Sequence, residues 1–303
     1  MNFNPQEHRI FEAVTGSRLY GTATETSDWD YRGVVIPPLE VLIDPFMKFN
    51  VQDSGFEEED KALYSLGKFF ELCAQANPNI IELLFIPQEY TTFDSEEWQI
   101  IKENRSLFVS KKVKYTFTGY AMSQLKAIQR HREWFLNPPK DAPNRKDFGL
   151  SDSPSVSMAW IDSLKDTLNY DLLRPEVVDE VRREKEYRDA KKKWDNFIQW
   201  KTNRNPKRRG TEEQFGYDTK YASHVFRLMG EGLDLLMDGE ITFPLPYADW
   251  LLEIKQGKYS YDEIVNVAET MDKNFESFYN KSFLPKSPDI SGLKDLYYSL
   301  VIK

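Results

Sequence analysis

Two aspartates near the start of the chain, Asp28 and Asp30, are separated by a single residue, Trp29. In an extended backbone, side chains at positions i and i+2 point to the same face, so both carboxylates would project together while Trp29 turns away toward a core. Neighbouring carboxylates repel each other and raise each other's pKa unless a cation joins them. Oxygen ligands of this kind suit Mg²⁺ or Mn²⁺, so the spacing predicts a divalent-metal site, although D-x-D also occurs on ordinary exposed strands.

A Gly16–Ser17 pair precedes the aspartates and has the properties that a triphosphate-binding turn requires. Glycine lets the backbone approach a ligand closely, and amides and a hydroxyl near the start of a helix donate hydrogen bonds to phosphate oxygens. Arg18 either assists in phosphate binding or lies exposed on the helix surface. Ser27 either supports the entrance of the following strand or holds one of the aspartate carboxylates.

The pattern of apolar and turn-forming residues predicts the elements that position these side chains. Residues 9–15 form a strand that ends at Gly16, and a second strand runs from about Asp28 to Ile36, where two prolines close it. The remaining predicted elements are a weaker strand at 46–53, a strand that begins at KALYSL, a helix capped by Ser65, and helices over 95–104, 106–135, 155–200 and 217–238.

The change from strand-like to helical periodicity indicates an α+β fold in two parts. Residues 1–90 form a small mixed-sheet part that contains the Gly16–Ser17 turn and the two aspartates. Residues 91–303 form a larger, mostly helical region. A loop rich in proline, asparagine and aspartate interrupts this region at about 137–155.

The net charge of −9 conceals a basic segment at 182–209. Between Arg182 and Gly210 the chain has twelve Lys and Arg residues against four Asp and Glu residues. Such a run either contacts the phosphate backbone of a nucleic acid or forms a solvated helix that offsets acidic neighbours. The candidate nucleic-acid-binding residues are Lys191, Lys192, Lys193, Lys207, Arg208 and Arg209.

Composition excludes several other classes of protein. The single cysteine, Cys73, rules out a disulfide framework within the chain, and the three histidines are far apart and lack cysteine neighbours, so a structural zinc site is not expected. No run of about 18 apolar residues and no secretory signal are visible. We therefore expect a cytoplasmic protein without a membrane partner.

A second cluster of polar residues lies in GYDTKYASHVFRL. Tyr217, Lys220, His224 and Arg227 follow one another at steps of three and four, which places them on one helix face. This basic stripe suits contact with nucleotide phosphates or with the acceptor, and the alternative is a solvated helix face. Asp218 caps the start of the helix if it takes no part in chemistry.

The pattern G16-S17-R-L-Y-G21-x5-S27-D28-W-D30 resembles the signature of the DNA polymerase β-type nucleotidyltransferase superfamily. More narrowly, the chain resembles the predicted nucleotidyltransferases of bacteria and large phages, which are sometimes encoded beside RNA ligases. The similarity continues through EDKALYSLGKFFELCAQANPNIIELLF, GYAMSQLKAIQRHREW and GYDTKYASHVFRLMGEGLDLLMDGEITFPLP. It is weakest over residues 137–212.

The resemblance implies a metal-dependent transfer of a nucleoside monophosphate from an NTP to a hydroxyl, with release of pyrophosphate. It further implies that residues 1–90 are the catalytic core and that residues 91–303 complete the active site and bind the acceptor, the molecule that carries this hydroxyl. A third carboxylate is expected from a neighbouring strand. Asp60 is the candidate and Glu58 the alternative, because the EEED context leaves the register open. In this scheme Asp28, Asp30 and Asp60 hold Mg²⁺ or Mn²⁺, and Gly16 and Ser17 bind the phosphates of ATP or another NTP.

The acceptor is expected to be an RNA end or a tRNA-like molecule, since the basic segment accompanies the metal motif. Related catalytic cores serve unrelated acceptors, so a protein hydroxyl or a small molecule remains an alternative. Two further alternatives are a non-catalytic nucleotide- or RNA-binding module with the same fold and an interaction protein that acts as an inhibitor.

Overall fold

The computed structural model describes residues 3–47, 49–56, 59–153, 175–204 and 206–302, with the backbone alone at 54–56 and 206–208. The strands are β1 (Arg9–Thr15), β2 (Trp29–Val35), β3 (Val51–Phe56), β4 (Glu59–Ser65) and β5 (Thr91–Asp94). The helices are α1 (Gly16–Tyr20), α2 (Leu39–Ile43), α3 (Leu66–Ala74), α4 (Pro78–Ile81), α5 (Glu96–Glu103), α6 (Lys112–Leu136), α7 (Pro175–Asn203), α8 (Pro206–Phe215), α9 (Thr219–Asp238), α10 (Ala248–Lys255), α11 (Tyr261–Lys281) and α12 (Ile290–Val301).

The five strands form one mixed sheet in the order β3-β4-β2-β1-β5. β2 and β4 run parallel, and every other neighbouring pair is antiparallel. With the mostly helical remainder of the chain, this sheet confirms the predicted α+β fold. The parallel pair matters most for the site, because it brings two strands that are distant in sequence into register.

The interior of the sheet explains why β1 forms where its sequence predicts. Ile10, Phe11, Ala13 and Val14 are all buried, as expected for a strand that has neighbours on both sides and is covered by helices. Phe11 stacks on Trp98 of α5, with ring centroids 3.9 Å apart. The apolar run of β1 therefore anchors the strand whose end carries Gly16.

By its contacts the chain divides into two compact units. The first consists of Met1–Ile128 and Tyr217–Lys303, and the second of Gln129–Gly216. This division differs from the predicted boundary at residue 90. The helices that follow residue 217 share buried contacts with the N-terminal part, so the first unit is assembled from two separate stretches of sequence.

The predicted strands and helices are displaced by only a few residues from those observed. β3 begins at Val51 rather than 46, and Ser65 caps α3 by accepting a hydrogen bond from the Lys68 amide, 3.2 Å. The predicted loop at 137–155 contains a 3-10 turn over Arg145–Phe148, and the part of the predicted 155–200 helix before Pro175 lies outside the described residues. None of the described helices is long and apolar enough to cross a membrane.

Candidate active site

The strand β2 presents Asp30 and Arg32 at alternate positions, with Asp28 immediately before its first residue. In the sheet, Asp30 lies in register with Asp60 of the parallel strand β4. Neighbouring strands are about 4.8 Å apart, so the two carboxylates leave their strands side by side. Glu58, the alternative third carboxylate, lies outside the described residues.

The crowding of negative charge is visible in the pKa of Asp30, which is raised above its ordinary value. Burial is the largest cause, followed by the charge of Asp60, and Asp28 adds to the effect. Arg32 and Lys220 act in the opposite direction, so two cations already face this carboxylate. A half-buried Asp30 beside another carboxylate is the electrostatic environment that a bound cation would relieve.

Gly16 lies directly against Asp30. Its backbone has φ +66°, and a Cβ atom built there would come within 2.0 Å of the Asp30 Oδ2 atom and 2.9 Å of its Cγ atom. Only glycine combines this left-handed conformation with so close an approach. The turn between β1 and α1 therefore brings its backbone directly against the Asp30 carboxylate.

Arg18 and Ser27 stabilise the segment that leads to Asp28. Arg18 Nη2 donates a hydrogen bond to the Ser27 carbonyl oxygen, 2.8 Å, and its guanidinium lies 3.8 Å from the centre of the Trp29 ring. Ser27 Oγ accepts a hydrogen bond from the Thr24 amide, 2.9 Å. Both side chains thus have structural partners in addition to any contact with a ligand.

The expectation that Trp29 turns into a core is wrong. Its side chain is 42% exposed and lies beneath the Arg18 guanidinium, where it also stacks on Tyr31. The alternation along β2 holds, but the face opposite to Asp30 is not covered at the start of the strand. By contrast, Ser17 is half-buried, and its hydroxyl makes no hydrogen bond with the described residues.

A third side of the site carries two lysines. Lys220 of α9 is exposed and interacts electrostatically with Asp30, His224 and Lys255. Lys255 of α10 donates a hydrogen bond from Nζ to the Thr22 carbonyl oxygen, 3.2 Å, and burial, followed by the charge of Lys220, lowers its pKa. Lys255 and Arg32 were not identified from the sequence. The i+2 spacing of Arg32 from Asp30 was a signal that could have revealed it, whereas Lys255 had none.

Tyr217 is not on the helix face to which the sequence assigned it. The helix begins at Thr219, and Asp218 caps it by accepting a hydrogen bond from the Tyr221 amide, 2.9 Å. Tyr217 is buried, donates from its hydroxyl to the Tyr259 carbonyl oxygen at 2.7 Å, and has its pKa raised by burial to about 12. Its side chain is thus part of the packing between α9 and the chain before α11.

His224 is a neutral histidine. Burial, with help from the charges of Arg227 and Lys220, lowers its pKa to about 3. Its Nδ1 atom is 3.1 Å from Arg227 Nη2. Because a guanidinium can only donate, Nδ1 accepts and the ring proton resides on Nε2. His224 can therefore offer a neutral N–H donor to a ligand.

Arg227 also departs from the sequence prediction, because it is buried and not part of an exposed basic stripe. Its Nη1 atom is 2.8 Å from both Glu231 carboxylate oxygens and 3.3 Å from Glu82 Oε2. Glu82 in turn accepts a hydrogen bond from the Tyr20 hydroxyl, 3.0 Å. The sequence block NPNIIELLF, which contains Glu82, thus meets the block GYDTKYASHVFRL, which contains Arg227, in one buried charge network.

This network reaches the candidate site through Arg32. Burial raises the pKa of Glu82, whereas Arg227 and then Arg32 lower it, and Asp30 also acts on it. Arg32 donates to the Tyr64 hydroxyl at 3.1 Å. A chain of alternating charges therefore runs from Asp30 through Arg32 and Glu82 to Arg227.

The donor set of the site fits a hard divalent cation. Asp28, Asp30 and Asp60 offer only carboxylate oxygens, the ligands preferred by Mg²⁺. As placed, no three His, Cys, Asp or Glu side chains in the described part of the chain form a group that could hold a metal ion. Asp28 is exposed, so its carboxylate oxygens lie at the solvent-facing end of the site.

The basic segment at 182–209 lies in the second unit. Lys191, Lys192 and Lys193 are exposed on α7, and none of them forms an ion pair with another described residue. Arg209 of α8 pairs with Glu213 at 2.7 Å. The side chains of Lys207 and Arg208 lie outside the described residues.

Comparison with known proteins finds a matching family model and a phage relative. Residues 4–138 match the model of RlaP, described as the RNA repair pathway DNA polymerase beta family. A protein of Enterobacteria phage T4, described as the uncharacterized 38.9 kDa protein in the nrdC-mobD intergenic region, is 24% identical over 88% of each chain. No solved structure matches. The resemblance predicted from the motifs is thus confirmed over residues 4–138, where the chain matches the RNA repair pathway DNA polymerase beta family.

Proposed function

We propose that this protein transfers a nucleoside monophosphate from an NTP to a hydroxyl of an RNA end and releases pyrophosphate. The observation that carries the proposal is the register of Asp30 with Asp60 on parallel strands, with the Gly16 backbone against Asp30. The acceptor is assigned from the family description, which names an RNA repair pathway. Burial and the charge of Asp60 raise the pKa of Asp30 even though Arg32 and Lys220 act against the rise, and a cation bound between the two carboxylates would oppose it further.

In the proposed reaction, the acceptor oxygen bonds to the α-phosphorus while the bond from that phosphorus to the β-phosphate oxygen breaks. The hydroxyl proton passes to Asp60, and the electron pair of the broken bond leaves with pyrophosphate. Divalent metal ions held by Asp28, Asp30 and Asp60 would stabilise charge on the attacking and leaving oxygens. Binding such ions requires the Asp28 side chain to turn toward Asp30, which its exposed position permits.

The remaining residues of the site bind and orient the nucleotide. The Gly16 and Ser17 amides and the Ser17 hydroxyl donate to the β- and γ-phosphates at the start of α1. Lys220 and Lys255 offset the charge of the triphosphate. Burial, followed by the charge of Lys220, favours loss of the Lys255 proton. An anionic ligand beside Lys255 would therefore stabilise its charged form.

An assay with α-labelled NTPs tests the proposal. The protein is incubated with each NTP in turn, Mg²⁺ and total RNA, and label in RNA is measured beside the Asp28→Asn and Asp30→Asn variants. We expect labelled RNA with the wild type and none with either variant. Tight NTP binding without label in RNA, protein or small acceptors would instead favour a non-catalytic binding module. If label appears only in protein or in small molecules, the transfer activity is supported but the RNA acceptor is contradicted.

Replacing Gly16 with alanine is expected to reduce transfer by about 100-fold, because an added Cβ would displace the Asp30 carboxylate by about 1 Å. The left-handed backbone adds roughly 1–2 kcal/mol of strain. The measurement is the single-turnover rate together with the free energy of unfolding. Gly119→Ala is the matched control, since a Cβ there meets nothing within 4 Å. Equal rates for the two variants would contradict the assigned position of Gly16.

Reversing the charge of Lys191, Lys192 and Lys193 to glutamate is expected to weaken RNA binding and to flatten its salt dependence. Each lost phosphate contact reduces the slope of log K against log salt by about 0.7 for a single strand. Binding is measured by fluorescence anisotropy without NTP at several salt concentrations. The control reverses Lys281, Lys286 and Lys294, three exposed lysines of the first unit, with the same change of net charge. If the two triple variants lose the same amount of RNA affinity, α7 is not part of the RNA-binding surface.

A further inference from the structure

A cavity of about 420 Å³ lies entirely within the second unit, between the end of α6 and the end of α7. Trp134, Phe197 and Trp200 contribute aromatic walls, and Lys201, Arg204 and Arg209 contribute positive charge. Its volume falls within the range of about 300–1,000 Å³ that is usual for small-molecule sites. The proposed transfer reaction, located in the first unit, makes no use of it.

The aromatic walls are held by one another and by a histidine. The Trp134 and Trp200 ring centroids are 5.5 Å apart, and His131 stacks on both rings at 5.6 Å. Phe197 is buried against Trp200, with centroids 6.0 Å apart. Because both tryptophans are only half-buried, this cluster leaves aromatic surface open in the cavity.

Cations border the same aromatic surface. The Arg204 guanidinium lies 4.8 Å from the centre of the Trp200 ring and pairs with the buried Glu212. Lys201 Nζ lies 6.0 Å from the centre of the Phe197 ring. Arg204 is therefore fixed in orientation, while Lys201 stays exposed. An apolar protein segment would cover the rings but would offer no anion to Lys201, the lining cation that forms no ion pair with another described residue.

Aromatic rings bordered by cations are the chemistry that binds single-stranded nucleic acid, with bases on the rings and phosphates on the cations. We propose that this cavity binds one unstacked nucleobase of a single-stranded RNA, with the adjacent phosphate near Lys201. The local excess of positive charge between Arg182 and Gly210 favours a polyanion over a peptide. This assignment rests on the proposed function only in taking RNA as the acceptor.

Binding of a short single-stranded RNA to the full chain, without NTP, tests the proposal. Trp200→Leu keeps an apolar side chain but removes the stacking surface, and we expect its affinity to fall about 5- to 150-fold. A duplex RNA with the same number of phosphates should bind equally to the variant and the wild type, because its bases are already stacked. Trp250→Leu, which changes a half-buried tryptophan of the first unit, is the control and should bind both RNAs as the wild type does.

A measurement on the wild-type protein keeps the test independent of the variant's folding. A single-stranded RNA with one 4-thiouridine is irradiated on the protein, and the cross-linked peptides are identified. We expect cross-links within 129–138 or 194–204. Cross-links confined to other segments, or equal losses for single-stranded and duplex RNA in Trp200→Leu, would overturn the proposal. Since no NTP is present, these outcomes are independent of whether transfer occurs.

Discussion

The Asp30→Asn variant is expected to lose nucleotidyl transfer by at least about 1,000-fold, equivalent to roughly 4 kcal/mol of transition-state stabilisation. Asp30 is the central carboxylate, since it lies in register with Asp60 and against the Gly16 backbone. Asparagine keeps its shape but removes the charge that would hold a divalent cation. The measurement is the single-turnover rate with an α-labelled NTP at saturating Mg²⁺.

Urea unfolding of Asp30→Asn shows whether its loss of transfer activity results from misfolding. Burial and then Asp60 raise the pKa of Asp30, so the folded state disfavours its ionised form. At a pH above the ordinary pKa of an aspartate, the Asp30→Asn variant should therefore unfold at a urea concentration equal to or higher than that of the wild type. Asp53→Asn on β3, an exposed aspartate of the same sheet, is the control and should keep full activity. Transfer by Asp30→Asn near the wild-type rate would disprove the metal assignment.

The Arg227→Met variant is expected to lose about 3–5 kcal/mol of free energy of unfolding, because it leaves two buried carboxylates without their cation. Arg227 contacts both Glu82 and Glu231, and all three side chains are almost completely buried. Methionine fills much of the same volume, so the loss comes mainly from charge. Urea denaturation of the purified full chain provides the measurement.

The pH dependence of this loss identifies its cause. Burial is the largest influence on Glu231, and its pKa is raised to about 8 even with Arg227 present. A carboxyl whose pKa is higher in the folded state than in the unfolded state does not destabilise the fold at low pH. It destabilises the fold increasingly as the pH rises above its unfolded-state pKa. The deficit of Arg227→Met should therefore grow as the pH rises through about 8, where Glu231 of the wild type ionises, and should be larger at pH 9 than at pH 6.

Two further variants complete the test of the network. Adding Glu82→Gln and Glu231→Gln to Arg227→Met should recover much of the lost stability, since no buried charge remains. Arg182→Met, which removes an exposed arginine paired with Asp179 and Glu186, should leave the unfolding curve unchanged. A loss for Arg227→Met that is independent of pH would indicate a packing defect instead.

The parts of the site that the sequence predicted are those that depend on local spacing. Asp28 and Asp30 follow from the two-residue period of a strand, and Gly16 from the turn that precedes a helix. Asp60 required the resemblance, because its neighbour in the sheet is 30 residues away in the chain and the EEED context fits several registers. Parallel pairing across such a distance leaves no periodic signal in one sequence.

The residues that were missed or misassigned depend on tertiary contacts. Arg227 has the spacing of an exposed stripe, yet its partners Glu82 and Glu231 make burial favourable. Trp29 has an apolar side chain, yet it is 42% exposed and contacts the Arg18 guanidinium and the Tyr31 ring. In the second unit the charge of α7 was visible, whereas the cavity beside Trp200 required two helices to meet.

The division of the first unit into two stretches of sequence has a consequence for synthesis of the chain. Glu82 is made early, but Arg227, which neutralises it, leaves the ribosome only after the whole of Gln129–Gly216 has been translated. The segment 4–138 that carries the three aspartates therefore contains a buried acid without its base until then. The ion pair of Glu82 with Arg227 can form only after the second unit has been synthesised, so a chain released at residue 138 would lack the base that neutralises this acid.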